Sequence, residues 1–325
     1  MHLDIVVQAH AAAFLGRSAW DIRGDARLLA DAHRTSWGCY RQRTLMPGND
    51  GLTLELEAWG AEVHPSPAGD TWATTKPLLS SLTEVHDLPE IGRADATAFA
   101  PVLQAADELR QSTSAAVTIP VTGPLALANH LVGREVLVRE LHDDPFGTRE
   151  RLLALVRKLR PWLATLARRG VKITVADHYF STDDVEPEIF AGLVVPSMAW
   201  LINEASALGA DRPMLSVAGD ISSVAYKLFS TNAGTVVCPA GTRRGRFFPQ
   251  AREFPHTTVR LDLPPSLWTG HDWPAICQEI AAARTAARHH PNTILGTGPL
   301  PANASSVLVV DASHFTASLD EWVEP

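Results

Sequence analysis

The chain has 325 residues, 46% of them hydrophobic, three cysteines and a formal net charge of −8. That content fills one large core, and no shift of composition divides the chain, so a single domain over residues 1–325 is expected rather than two smaller ones. The negative balance speaks against a general nucleic-acid or acidic-membrane binder. The odd, widely spaced Cys39, Cys238 and Cys277, the lack of a basic n-region and the lack of a run of about 18 apolar residues fit a cytoplasmic, unexported protein.

Residues 4–43 are rich in alanine and in apolar residues at helical spacing, with Trp20 and Trp37 as packing residues. They predict two helices before the first barrel strand, an N-terminal helical segment over about residues 1–40. Arg43–Met46 is a short strand that runs into the turn cluster Pro47-Gly48-Asn49-Asp50-Gly51 and then into a helix from Leu52 to Gly60. Asp50 is either a site carboxylate at the strand end or the N-cap of that helix. Residues 61–95 are punctuated by proline and predict an irregular excursion over one barrel mouth. Asp95–Gln111 is helical, and Ala115–Val121 is the next strand. The turn at Gly123-Pro124 behind it offers free helix-start amides to an anion, unless it merely closes the barrel. Pro145 opens a helix that runs to residue 169, arginines and a lysine on one face and leucines on the other.

The β-branched run Val171–Val175 leaves that helix and stops on Asp177, His178 and Tyr179, as a buried parallel strand does when it ends in a polar site. Strand ends are where α/β barrels keep their chemistry, so these three lead the candidates. Successive strand residues point to opposite faces, so Asp177 and His178 share a pocket only where the strand gives way to loop. The imidazole is a structural residue or a general acid–base tuned by a carboxylate such as Asp177 or Asp220. A long helix from about Pro187 to Leu208 follows, then strands at Pro213–Ala218, Gly234–Cys238, Thr257–Leu261 and Thr293–Leu295. Asp220 is a second candidate acid or a helix N-cap. Arg243, Arg244 and Arg246 lie on a glycine-flanked loop at a strand end, suited to a carboxylate or phosphate, or left to solvent. Cys238 reads as packing rather than as a nucleophile. Strands alternating with helices predict an α/β fold, a single (β/α)8 TIM-type barrel with N-terminal helices, rather than an open doubly wound sheet.

The order of motifs resembles that of the uroporphyrinogen decarboxylase superfamily, which includes the corrinoid and thiol methyltransferases. The stretches that carry the resemblance are the acid-rich Leu52–Val63, the glycine-proline turn Val121–Ala128, Asp144-Pro145, Asp177–Ser181 with Pro187-Glu188-Ile189-Phe190, and Gly296–Pro301. It spans about residues 25–312. The superfamily's methyltransferases hold zinc through a His-x-Cys on the fourth clear strand and a Cys beside the final Gly. Here those positions are similar to Ser216, Ala218 and Thr297, which make no zinc thiolate site. The decarboxylases use an arginine-rich N-terminal arm, an acid after the first strand and a histidine near the last. This chain lacks the arm, has Thr297 near the histidine position, and matches the acid with Asp50 only after a slip of one residue.

Together the resemblance and its departures imply a divergent member. The expected activity is a metal-free, cofactor-free, decarboxylation-like lyase acting on a small anionic substrate. Arg243, Arg244 and Arg246 would bind the acid, with Tyr179, Thr297 and Gly123 lining the site. Asp177, His178, Asp220 and Asp50 would manage protons, with Asp177 outweighing His178. A zinc-free methyl or alkyl transferase is the alternative, and a non-catalytic barrel that binds a corrinoid protein is a third reading. No nucleic acid or membrane is expected as partner; a homodimer stays open.

Overall fold

The computed structural model describes residues 2–48, 51–65, 72–91, 98–181, 184–270 and 272–321, with the backbone alone at Tyr179, Phe180, Ser181, Asp320 and Glu321. Its strands are Leu3–Val6 (β1), Thr44–Leu45 (β2), Val63–Pro65 (β3), Trp72–Thr74 (β4), Ala116–Thr122 (β5), Lys172–Ser181 (β6), Met214–Ala218 (β7), Thr235–Cys238 (β8), Thr258–Asp262 (β9) and Thr293–Pro299 (β10). Apart from the antiparallel pair β3–β4, they form one eight-stranded sheet in the order β1-β10-β9-β8-β7-β6-β5-β2. Every neighbouring pair in it is parallel. β2 lies against β1, so the sheet curls into a nearly closed α/β barrel with helices outside it.

The alternation of side chains along each strand sorts the residues into two sets. Val117, Ile119 and Val121 of β5, Ile173 and Val175 of β6, and Val259 and Leu261 of β9 are buried in the hydrophobic core of the chain. Helix residues such as Leu155, Trp162 and Leu163 join the same core, with Trp162 stacked on Phe99 at a centroid distance of 4.0 Å. Burial of each large apolar side chain contributes about 1.5–3 kcal/mol. The barrel interior is different. Bulky branched residues usually fill it in layers, whereas here Thr118, Pro120, Thr174, Ala176, Ser216 and Ala218 line open space.

Several elements depart from the expectation. The N-terminal segment is not wholly helical: Leu3–Val6 is a barrel strand, paired with β10 through Leu3↔Leu295 and Asp4↔Gly296. Four residues with an acid among them give too short a period-two signal to stand out before an alanine-rich helix. The helix expected over 145–169 is two, Pro145–Arg157 and Arg160–Arg168. Pro161 has no amide to donate, so the chain turns through Lys158 and Leu159 with three-residue hydrogen bonds to Leu155 and Val156. The helix from Pro187 holds to Ala207 but widens into a π turn at Phe190–Val194, just before Pro196. That helix is long and apolar enough to cross a membrane, but half of its most apolar window is buried inside the protein.

Candidate active site in the barrel mouth

The C-terminal ends of the strands surround a cavity of about 260 Å³. Val6, Met46, Leu52, Val237, Leu263 and Pro299 give it apolar walls, while His178, Ser216, Arg260 and Asp262 make one end polar. Thr174, Ala176 and His178 all line it, at every second residue of β6, so the strand's alternation persists through His178. The register shift between β6 and β7 comes only after Asp177, where Ser181 pairs with Ala218. His178 is thus deep in the barrel yet exposed to the cavity, and its Nε2 lies 2.7 Å from Ser216 Oγ. Burial, helped by the positive charge of Arg260, lowers its pKa to about 4, so the imidazole is neutral at neutral pH.

Arg260 and Asp262 stand two residues apart on β9 and face the same way. The guanidinium grips the carboxylate in a fork, Nε to Oδ1 at 2.8 Å and Nη2 to Oδ2 at 3.1 Å. Its Nη1 is 3.9 Å from Asp4 Oδ2 on β1 and 3.4 Å from Met214 Sδ. Burial pushes both carboxyls up, opposed by the charge of Arg260; burial pulls Arg260 down, and the two acids more than restore it. A Cβ on Gly296 would fall 2.1 Å from Asp262 Oδ1, so the glycine makes room for this ion pair. The sequence points to neither Arg260 nor Asp262 as a site residue, and to Ser216 only as a position similar to a zinc ligand of the superfamily. The available signal was two opposite charges at period two inside an otherwise apolar strand, Thr258-Val259-Arg260-Leu261-Asp262.

The other candidates lie elsewhere. Asp177 points away from the cavity, fully buried, and accepts hydrogen bonds from the amides of Leu125 at 3.0 Å and Ala126 at 2.8 Å. It closes the N-terminus of the helix Pro124–Val132, so the expectation that Asp177 outweighs His178 in the pocket is corrected: strand geometry gives the cavity to the histidine. Gly123 serves the same contact, since a Cβ there would meet Asp177 at 2.6 Å, and the turn's amides are spent on that carboxylate rather than on an anion. Glu55, from the acid-rich helix, binds the amide and hydroxyl of Thr122 at 3.1 and 2.5 Å.

Asp220 caps the short turn Ile221–Ser223 and pairs with Arg243. Its burial works to raise its pKa, but hydrogen bonds from Ser222 and Arg243 prevail and set it at about 2, too low for a proton carrier at neutral pH. Arg244 pairs with Glu279, and Arg246 is exposed. None of the three arginines lines the cavity, because the loop turns at once into the helix Arg244–Ala251 and buries Phe247 and Phe248 instead. Thr297 accepts the amide of Val6 at 3.0 Å and donates to the Gly298 carbonyl at 2.7 Å, outside the cavity lining. Cys238 is buried, which pushes its thiol up to about 12. Asp50 lies outside the described residues, and so does the side chain of Tyr179.

The donors at the positions of the superfamily's zinc do not fit that ion. Ser216 is bonded to His178, Ala218 has no donor, and the Thr297 hydroxyl is committed to the backbone. Among the described residues no cluster of three or more His, Cys, Asp or Glu is arranged for a metal.

Comparison with known proteins agrees with this geometry at the level of fold. A methyltransferase from Methanosarcina mazei superposes with a TM-score of 0.79 over 99% of this chain and 95% of that one, at 12% identity. A dihydropteroate synthase from Stenotrophomonas maltophilia, with active site-bound imidazole, covers 72% of this chain and 79% of its own at 14% identity. Its TM-score of 0.32 is too low to bear on the fold. No curated protein matches the sequence. The family model described as uroporphyrinogen decarboxylase (URO-D) matches residues 17–237, well over half of the chain and the stretch that carries β2, β5, β6, β7 and most of β8, and the chain belongs to that family.

Proposed function

We propose that the protein is a lyase-type enzyme that works by proton transfer in the barrel mouth, on a compact molecule with an apolar body. The observation that carries the reading is the 2.7 Å contact between a neutral imidazole and the Ser216 hydroxyl at the polar end of the cavity. A neutral imidazole is a proton acceptor, so His178 would begin the reaction by taking a proton from the substrate, with Ser216 orienting the ring. When the neighbouring carbon–carbon bond breaks, its electron pair is left beside Arg260, whose fixed positive charge stabilises it. The protonated imidazole then returns its proton to that carbon or to solvent, which closes the cycle; a ring that rests neutral favours base-initiated carbon–carbon cleavage over simple decarboxylation, which has no proton to remove at the outset. Arg260 is already held by Asp262 and Asp4, so the substrate's charge is not the main source of its affinity; the apolar walls are.

A second reading, methyl or alkyl transfer without zinc, draws support from the apolar walls and from the neutral base, which could take the proton of a thiol acceptor. The superposed Methanosarcina protein is described as a methyltransferase. At about 260 Å³ the cavity holds a small molecule, below the range of drug-sized sites, so a corrinoid would have to act from outside it. The open cavity speaks against a barrel that has lost its chemistry, whose own side chains would fill the mouth.

The test is a panel of small hydroxy and keto acids and their neutral analogues, followed by product analysis and by deuterium uptake from solvent. His178→Gln should lower turnover by about 10²-fold or more, and the purified protein should carry well under one zinc per chain. Turnover untouched by His178→Gln, or methyl consumption in the presence of a thiol, would remove the lyase reading.

A further inference from the structure

The opposite end of the barrel holds a second cavity, of about 300 Å³, among the N-terminal ends of the strands. Arg43, Lys172, Arg212 and Arg260 line it, against the single carboxylate of Asp4 in that lining. Arg260 and Asp4 are buried at its base, while Arg43, Lys172 and Arg212 are exposed at its rim. Lys172 is engaged by Asp211 at 3.0 Å and Arg260 by the two acids already described. Among the described residues no carboxylate stands within ion-pair distance of Arg43 or Arg212. Thr44 and Thr235 add hydroxyl-bearing side chains to the wall.

We infer that this lower cavity is a binding site for a phosphate group, either the free ion or the headgroup of a small phosphomonoester. Two guanidinium groups, Arg43 and Arg212, line the rim of one recess with Lys172 beside them, while Arg260 at the base is held by Asp262 and Asp4; such a rim suits an oxyanion of more than one charge. In a chain of net charge −8 such an ion is repelled by most of the surface, so a local concentration of cations is the feature able to hold it. Barrel enzymes keep their chemistry at the other face, and the two cavities share only Arg260 in their linings, so phosphate binding at Arg43 and Arg212 is tested apart from the lyase reading.

The experiment is calorimetric titration with inorganic phosphate at constant ionic strength, with chloride as reference, followed by glycerol phosphate. Saturable binding of one phosphate per chain is expected. Arg43→Gln and Arg212→Gln should each weaken it about tenfold, and Arg27→Gln, a largely exposed cation on an outer helix, should leave it unchanged. Tighter binding of glycerol phosphate would identify the phosphomonoester as the occupant, and equal or weaker binding the free ion. A response no different from chloride, or phosphate affinity retained in the Arg43→Gln/Arg212→Gln double variant, would overturn the inference.

Discussion

The buried carboxyl of Asp177 holds two amides at a helix start, and its environment makes that duty pH-dependent. Burial raises its pKa to about 7, with the two amides opposing, whereas a carboxyl in an unfolded chain titrates near ~3.9. Between those values the folded protein keeps a proton that the unfolded chain has released. The stability owed to this group is therefore full below about pH 4 and is lost as pH rises towards 7. Asp177→Asn should flatten that dependence in urea unfolding. It should also cost about 1–3 kcal/mol, because an amide can accept from only one of the two backbone N–H groups and turns its own NH₂ towards the other. His178 titrates in the other direction. Since its pKa is lowered to about 4, an activity that needs the neutral ring should hold down to about pH 5 and fall only below it, not near pH 6.5. At this scale the sequence names the right strand end but ranks its neighbours wrongly, for the alternation that separates Asp177 from His178 depends on how far β6 continues before it bulges. Arg260 and Asp262 were legible in principle, since charges two apart in a β-branched strand must share a face.

Strand β10 runs four residues beyond the expected Leu295 because its continuation is pinned to β1. Thr297 takes the Val6 amide, and Val6 in turn receives the amide of Leu300 at 3.1 Å. A period-two pattern cannot reveal this: Gly296-Thr297-Gly298-Pro299 has the composition of a turn, and tertiary pairing overrides it. The same reasoning explains which elements were read well. β5, β6, β7, β8 and β9 are apolar runs bounded by Gly, Pro or polar residues, and their boundaries fall within two or three residues of expectation for all but the β6 extension. Thr297→Val keeps the β-branched shape and removes the acceptor from a buried amide. It should cost about 1–3 kcal/mol in denaturant unfolding while leaving ligand binding in the mouth unchanged. A binding loss equal to the loss from His178→Gln would instead make Thr297 part of the site.

For the molecule as a whole, family membership and barrel were readable because many short motifs occur in the right order, even though no single one is specific. The chemistry was less readable, because it rests on which way side chains face inside the barrel and on residues far apart in sequence, such as Asp4 and Arg260. The pairing of β1 with β10 also sets a schedule for synthesis. Leu3 meets Leu295 only after the roughly 290 residues between them have been made. At 5–20 residues per second, the first strand waits roughly 15–60 s for its partner. During that interval Leu3-Asp4-Ile5-Val6 presents an unpaired apolar edge, the kind of segment that invites association with other chains. A chain ended at residue 290, without β10, should be cut by protease within its first eight residues, whereas the full chain is protected there. The barrel is in this sense a ring whose clasp joins two strands made far apart in time, β1 and β10.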